Sequence, residues 1–353
     1  MTSKSSALVK TGLLLFIFLP LIIGFSYCGG KKGASKPTED TLILAAYTVP
    51  KEAYQKEIIP AFQAYWKQKT GRLVNFKESY NASGAQARAV VAGLDADIAA
   101  LSLEQDITLL ETSGLITHNW RATKTNGFVT RSTVVMVYRP GNPKKIKTWQ
   151  DLTSPTIDVI YPSPKTSGGA MWIVNAIYGA GIIMGEKETG KKTPELGAEL
   201  LRKIQAQVRV MDKSGRASVT TFENGFGDVL LTYENEALLR QMQGKDFPFI
   251  LPDATILIEN PIALVDKYVD QHGSRAVAEA FIEFVYQKES QRSFAKYGFR
   301  PVDQEILKEF AAKYPVPPML FDMAYLGGWQ AVTPGLYGPE GIWNKIIQDM
   351  KNK

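Results

Sequence analysis

The sequence predicts an α/β protein of two lobes that are joined by two extended crossover segments. From Leu42 onward, short apolar runs of β type alternate with longer stretches of helical periodicity, which is typical of sheets covered by helices on both faces. Two β-branched stretches, at residues 132–138 and 255–265, are interpreted as the crossovers. The length of 353 residues suits about two domains.

The first unit contains three predicted strands, at residues 42–47, 73–76 and 98–101. Two predicted helices lie between them, at 52–69 and 85–94, because apolar residues recur there at helical spacing. This order predicts a unit rich in βαβ connections.

A second alternating unit follows the turn signal Pro140-Gly-Asn-Pro143. Its strands are predicted at 157–161, 208–211 and 229–233, and its helices at 170–178 and 198–206. Further amphipathic helices are predicted at 275–296 and 304–313. We assign residues 41–134 and 262–353 to the first lobe and 135–261 to the second. Ligands of such sheets bind beyond the carboxyl ends of the strands, so the cleft is expected between the lobes.

The N-terminus has the layout of an export signal. Lys4 and Lys10 precede an apolar run at residues 13–25, and no acidic residue occurs before Glu39. We predict a signal peptide over residues 1–27. The chain is therefore expected outside the cytoplasm.

Cys28 is the only cysteine of the chain and follows the predicted signal directly. We predict that it carries a lipid that anchors the protein to a membrane, with plain export or an uncleaved anchor as alternatives. Residues 28–40 are predicted to form a flexible tether.

The net charge of +6 is dispersed along the chain rather than gathered in a stripe of basic residues, which argues against a nucleic-acid partner.

Three Ser–Gly steps stand between a predicted strand and a predicted helix: Ser83-Gly84, Ser167-Gly168-Gly169 and Ser214-Gly215. A helix start offers unpaired N–H groups and the positive end of the macrodipole. If the three starts converge, they can hold an oxyanion without a metal or a catalytic base. The alternative for each serine is a plain N-cap. We assign Arg216 to a structural ion pair, with Asp212 as the neighbouring partner.

Signals for catalysis are weak. The two histidines, His118 and His272, are not in metal-ligand spacing, and the chain has no G-x-S-x-G elbow and no P-loop. Two pairs of closely spaced carboxylates are interpreted as charges on helix surfaces or turns: Asp95 with Asp97, and Glu234 with Glu236. We predict no catalytic residue, no metal and no cofactor.

Longer motifs surround the Ser–Gly steps: Ser79-Tyr-Asn-Ala-Ser-Gly84, Pro164-Lys-Thr-Ser-Gly-Gly-Ala170, Gly227-Asp-Val-Leu-Leu-Thr-Tyr-Glu-Asn-Glu-Ala237 and Gly327-Gly-Trp329. With these motifs the chain resembles the periplasmic sulfate-binding proteins, the receptors of ABC-type sulfate and thiosulfate importers, over residues 42–329. The resemblance implies the type II periplasmic-binding-protein fold and a monomer that closes on a deprotonated tetrahedral dianion and docks on an ABC permease. The ligand contacts that it implies are Thr48, Ser83, Ser167, Gly168, Gly169, Gly215 and Tyr233.

The chain departs from the family pattern at three positions. Thr48 stands where the family usually has aspartate, Tyr233 where it has tryptophan, and Met171 where it has arginine. A phenol accepts hydrogen bonds as well as donating them, which relaxes the rejection of a protonated anion such as hydrogen phosphate. The open alternatives are a receptor for another oxyanion (phosphate, molybdate or tungstate), an anchored anion sensor without a transporter, and a hydrolase that uses Ser83 or Ser167.

Overall fold

The computed structural model describes residues 39–352. The predicted signal peptide, Cys28 and tether residues 28–38 lie outside the described residues. Within the described range the strands are β1 (Glu39–Tyr47), β2 (Leu73–Asn81), β3 (Ile98–Ala100), β4 (Phe128–Tyr138), β5 (Val159–Ile160), β6 (Val208–Val210), β7 (Val229–Tyr233), β8 (Phe249–Ile250), β9 (Ala254–Leu264), β10 (Arg300–Pro301) and β11 (Met319–Phe321).

The helices of the same range are α1 (Lys51–Ala53), α2 (Ile59–Thr70), α3 (Ser83–Val91), α4 (Glu104–Thr112), α5 (Gly168–Thr189), α6 (Pro194–Gln205), α7 (Gly215–Glu223), α8 (Glu234–Met242), α9 (Asp266–His272), α10 (Arg275–Val285), α11 (Lys288–Lys296), α12 (Gln304–Glu309), α13 (Gly328–Val332) and α14 (Ile342–Lys351). A π-helical turn, Tyr54–Ile58, joins α1 to α2. The segment predicted to be helical at 275–296 is broken after α10, where Gln287 has extended backbone and the Ser290 hydroxyl donates to the Phe284 carbonyl at 2.7 Å.

The strands form one mixed sheet in the order β2-β1-β3-β9-β4-β7-β5-β6. Parallel pairs lie on both sides of the centre, β1 with β2 and β3, and β5 with β6 and β7. The long strands β4 and β9 pair antiparallel at the centre, and β9 also pairs with β3 while β4 pairs with β7. These two strands are the predicted crossovers, so the two-lobed α/β architecture is confirmed. The sequence bounds of the lobes stay a prediction.

Aromatic side chains join helices α2 and α10, and helix α5 is buried inside the protein. Phe62 of α2 packs edge-on against Phe281 and Phe284 of α10, with ring centroids 5.0 and 5.4 Å apart. Judged by length and composition alone, helix α5 is long and apolar enough to cross a membrane. However, 83% of its most apolar 18-residue stretch is buried inside the protein. Helix α5 is therefore a core helix of the described domain.

The C-terminal segment packs on α5 and α6. Trp329 lies edge-on to Trp172 with ring centroids 5.2 Å apart, and the indole N–H of Trp343 donates to Gln205 at 3.2 Å. Strand β11 pairs with the first residues of β9. These contacts join residues 319–351, which the sequence placed in the first lobe, to elements of the predicted second lobe; the lobe bounds stay a prediction.

Candidate anion-binding site

A small cavity lies where strands of both lobes end and helices begin. Strands β1, β2 and β3 lead into α1, α3 and α4, and β5, β6 and β7 lead into α5, α7 and α8. The cavity has a volume of about 10 Å³, roughly what one water molecule needs and far below the range of about 300–1,000 Å³ typical of organic-ligand pockets. Its lining is Tyr47, Thr48, Val49, Ala82, Ser83, Ser102, Ser167, Gly168, Gly169, Gly215 and Tyr233.

All seven residues of the predicted ligand set line this cavity; their contacts with a ligand stay a prediction. Sequence reasoning missed Ser102, which the structure places at the centre of the lining. It follows the short apolar strand β3 and precedes α4, the same position that Ser83 holds after β2. Its place between a strand and a helix could have marked Ser102 as a candidate, but no glycine follows Ser102 and α4 was not predicted.

The three Ser–Gly steps differ in what their serine does. Only Ser214 is a plain cap, because its hydroxyl accepts from the Ala217 N–H at 3.2 Å. Ser167 is the N-cap residue of α5 but makes no side-chain cap, and the structure gives its hydroxyl no partner within residues 39–352. Ser83 is the first residue of α3, after the N-cap Ala82. The alternative of three ordinary N-caps is therefore wrong for two of the three serines.

Two helix starts of the predicted second lobe supply backbone donors to the cavity. Gly168 and Gly169 are the first two residues of α5, and Gly215 is the first of α7. The first amides of an α-helix have no partner within the helix, and they carry the positive end of its dipole. The cavity is thus bordered by neutral donors that favour negative charge.

Gly168 is required by the close approach of the two lobes. A Cβ on Gly168 would lie 2.7 Å from the Ser102 hydroxyl oxygen, and one on Gly169 would lie 2.7 Å from the Tyr233 ring. A Cβ on Gly215 would meet only Val49, at 3.7 Å, an ordinary contact. The α5 start is therefore tightly enclosed, whereas the α7 start has room.

Hydroxyl groups from both lobes form a continuous network along the cavity wall. The Ser83 hydroxyl accepts from the Ser102 N–H at 2.8 Å and donates to an Asp106 carboxylate oxygen at 2.5 Å. The hydroxyls of Ser102 and Tyr233 are 2.6 Å apart and share a hydrogen bond across the cleft. Burial raises the pKa of Tyr233, so its phenol stays neutral.

Arg216 makes the structural ion pair that the sequence suggested, but not with Asp212. Its guanidinium holds Glu52 from the other lobe with two hydrogen bonds, at 2.5 and 2.9 Å, and contacts Glu236 at 3.1 Å. Burial raises the pKa of Glu52, but the hydrogen bond and charge of Arg216 bring it below its ordinary value. Asp212 instead accepts from the Thr221 hydroxyl at 3.1 Å.

The interpretation of the spaced carboxylates as surface charges is wrong for three of the four. Glu234, Glu236 and Asp97 are buried, and only Asp95 is half exposed. Partners distant in sequence compensate all three: Arg300 for Glu234, Arg216 for Glu236, and His272 with Ser274 for Asp97. Glu236 also pairs with Arg240, four residues later on the same helix. Among residues 39–352, no three His, Cys, Asp or Glu side chains gather closely enough to hold a metal ion.

Sequence comparisons with known proteins identify relatives of this chain. The chain matches the bacterial extracellular solute-binding protein family over residues 42–300. It is 41% identical to a sulfate-binding protein of Synechococcus elongatus over 93% of both chains. It is 35% identical to a thiosulfate-binding protein of Pseudomonas aeruginosa, over 90% of this chain and 94% of the relative.

A solved structure matches over nearly its whole length. The sulfate-binding protein SubI of Mycobacterium tuberculosis superposes with a TM-score of 0.77 at 37% identity, covering 84% of this chain and 99% of that one. The similarity thus includes the residues that build the cavity wall. The chain belongs to the bacterial extracellular solute-binding proteins and, within them, to the sulfate-binding protein family that its motifs predicted.

Proposed function

We propose that this protein is an extracytoplasmic receptor that binds sulfate or thiosulfate in the cavity and delivers it to an ABC importer. The observation that carries the proposal is the meeting of three helix starts, α3 of the first lobe with α5 and α7 of the second, at a small cavity whose described lining contains no lysine, arginine or histidine. The relatives named for sulfate and thiosulfate support the choice of anion.

Neutral donors explain how such a site selects its ligand. Each backbone N–H donates and cannot accept, so a fully deprotonated tetrahedral dianion satisfies the amides of Gly168, Gly169 and Gly215 without conflict. A donor left unpaired costs about 1–3 kcal/mol. Binding closes the lobes about the crossover strands β4 and β9, because donors from both sides must reach the same ion.

Binding is tested by thermal unfolding and titration calorimetry of the full chain after exhaustive dialysis into sulfate-free buffer. Sulfate and thiosulfate are compared with phosphate, molybdate and tungstate. A ligand at 100 times its Kd adds about 2.7 kcal/mol to the free energy of unfolding, so a clear rise in Tm is expected with sulfate or thiosulfate. A larger rise with phosphate, molybdate or tungstate would reassign the ligand, and no rise with any anion would refute the receptor.

A hydrolase remains the enzymatic alternative, and two contacts argue against it. His118 bonds to Asp266 at 2.6 Å, and His272 bonds to Asp97 at 2.9 Å. Neither histidine contacts Ser83 or Ser167 within the described range, so no histidine serves either serine as a general base there. We propose that the chain turns over no substrate; hydrolysis of an aryl sulfate or an ester that is lost on Ser167→Ala would contradict this.

The N-terminal segment is proposed to export the chain and anchor it. Cleavage before Cys28 would leave a lipid-bearing cysteine joined to the described domain through the tether. Labelled palmitate should enter the wild-type protein and not the Cys28→Ala variant, which should appear in the soluble fraction. Labelling of both forms, or of neither, would refute the lipid anchor and leave anion binding untouched.

A further inference from the structure

The wall of the cavity has two unlike sides, and one of them is packed to hydrogen-bond distance. On this polar side the Ser102 N–H donates to the Ser83 hydroxyl at 2.8 Å, and the hydroxyls of Ser102 and Tyr233 are 2.6 Å apart. A Cβ on Gly168 would lie 2.7 Å from Ser102, and one on Gly169 would lie 2.7 Å from Tyr233. The polar side therefore offers donors to oxygen atoms but no room for a larger atom.

The other side is formed by Val49 of the first lobe and Gly215 of the second. Among the described residues, a Cβ on Gly215 would meet only the Val49 side chain, at 3.7 Å. Val49 is buried, 3% exposed, and presents methyl groups. Gly215 is the first residue of α7, so its N–H has no partner within the helix. The Val49–Gly215 side thus has room for one methyl-sized atom, which would face methyl groups and a single N–H donor.

Arg216 fixes the width of this space. Its guanidinium donates to the Val49 carbonyl oxygen at 3.3 Å and to the Glu52 carboxylate at 2.5 and 2.9 Å. Because Arg216 directly follows Gly215 in the chain, one side chain ties the two walls of the space together across the cleft. The space is therefore a built part of the cavity, and it persists while the lobes are in contact.

Sulfate and thiosulfate differ at one atom that such a space can distinguish. Both are tetrahedral dianions, and thiosulfate has an outer sulfur in place of one sulfate oxygen. Sulfur is larger and more polarisable than oxygen, and it is a weak hydrogen-bond acceptor. The three oxygens of thiosulfate thus need strong donors, whereas its outer sulfur gains more from contact with methyl groups. This division of needs matches the two sides of the cavity.

We propose that Val49 and Gly215 form a subsite for the outer sulfur of thiosulfate, while the polar side holds its three oxygens. The inference rests on the proposed function and makes these two residues the ones that decide between its two anions. Sulfate places a smaller oxygen in the same space, where the Val49 methyl groups offer it no donor. The wild-type receptor should therefore bind thiosulfate at least as tightly as sulfate.

A crystal structure of the wild-type chain with thiosulfate tests the subsite directly. The protein is first dialysed exhaustively into sulfate-free buffer, and the anomalous scattering of sulfur then distinguishes the outer sulfur from the oxygens. We expect the outer sulfur within about 4.5 Å of the Val49 side chain, the limit of an apolar contact. An outer sulfur beside Ser102 or Tyr233, or one spread over several positions of the ligand, would overturn the inference.

Titration calorimetry with the two anions tests whether the space sets their relative affinity. In Gly215→Ala the new methyl group occupies the subsite, so the Kd for thiosulfate divided by the Kd for sulfate should rise about tenfold or more. Val49→Ile fills the same space from the other lobe and should raise this ratio severalfold. The ratio cancels any loss of stability or of lobe closure that weakens both anions alike.

Gly84→Ala is the matched control, because Gly84 is the second residue of α3 and lies outside the cavity lining. A Cβ there would meet the Arg88 guanidinium at 3.3 Å and the Thr166 carbonyl oxygen at 3.4 Å. Any effect on closure should change both Kd values equally and leave their ratio at the wild-type value.

The outcomes separate the subsite from the receptor. A wild type that binds sulfate more tightly than thiosulfate, or a ratio that stays unchanged in both Gly215→Ala and Val49→Ile, would overturn the inference and leave the receptor intact. Absence of binding of both anions by the wild type would instead overturn the proposed function. The wild-type crystal structure decides the matter even if neither variant folds.

Discussion

Two networks cross the same cleft, and they handle charge in opposite ways. Around the cavity, Ser83, Ser102 and Tyr233 are neutral, and the one carboxyl among them, Asp106, has no ion-pair partner in the described range. One residue beyond Gly215, Arg216 links Glu52 and Glu236, and every group there is charged and paired.

We interpret the neutral network as the part of the cleft that recognises the anion and the charged network as the part that holds the two lobes closed. Paired charges beside the cavity hold the two lobes together without presenting a free charge to the ligand. Under the proposed function, the neutral network would select its anion by hydrogen-bond direction, because a backbone N–H donates and cannot accept.

Removing Glu236 should give the largest effect, because it is fully buried between Arg216 and Arg240. Glu236→Gln leaves two guanidinium groups without their shared partner, and breaking a buried pair typically costs about 3–5 kcal/mol. Chemical denaturation should show a loss of stability near the lower end of that range, since Arg216 is 23% exposed. Glu199→Gln, in an exposed pair with Lys203, is the control and should not change the midpoint. Equal behaviour of the two variants would mean that the charged network does not stabilise the fold.

Adding a methyl group at Gly168 should separate the two lobes at the neutral network. The new Cβ would meet the Ser102 oxygen at 2.7 Å, and overpacking of this kind costs about 1–3 kcal/mol. Sulfate affinity measured by calorimetry should fall by about 10- to 100-fold in Gly168→Ala. Gly215→Ala, at the roomier helix start, should change it less than threefold. If both variants bind alike, the close approach at α5 does not control closure.

Tyr233→Phe tests whether the phenol contributes a donor to the anion. The variant keeps the ring and removes the hydroxyl that bonds to Ser102. A hydrogen bond to a charged group is worth about 1.5–3 kcal/mol, and we expect the lower end, about tenfold in Kd. Tyr314→Phe removes another buried phenol, bonded to the Ala295 carbonyl, and serves as the control. Unchanged affinity in Tyr233→Phe would place its hydroxyl outside the ligand contacts.

The smallest effect is expected from Glu52→Gln. Glu52 and Arg216 are 19% and 23% exposed, so water and salt screen their attraction. The variant should weaken sulfate binding by a few fold at low ionic strength, chiefly through faster dissociation in stopped-flow experiments, and match the wild type at high salt. A large effect that persists at high salt would show that the pair acts as a buried ion pair.

Much of the site could be predicted because its positions follow from local rules. Strand–helix alternation and the Ser–Gly steps placed Ser83, Ser167 and Gly215 at helix starts on one edge of the sheet, and the structure brings them to one cavity. Ser102 escaped because no glycine follows it and α4 was not predicted, although strand β3 before it was. The surface assignment of Glu236 failed because its burial depends on how α8 packs against the start of α7, which supplies Arg216.

The sequence by itself determined the alternation of strands and helices, the two crossovers and the helix starts that face the cavity, since each depends on neighbours within one or two turns of chain. Only the tertiary structure decided the partners across the cleft. Arg216 meets Glu52 across 164 residues, and Ser102 meets Tyr233 across 131. A hydroxyl has no preferred direction until its neighbours are in place. The partners of the Ser83 hydroxyl, Asp106 and the Ser102 N–H, are therefore set by packing rather than by any local pattern.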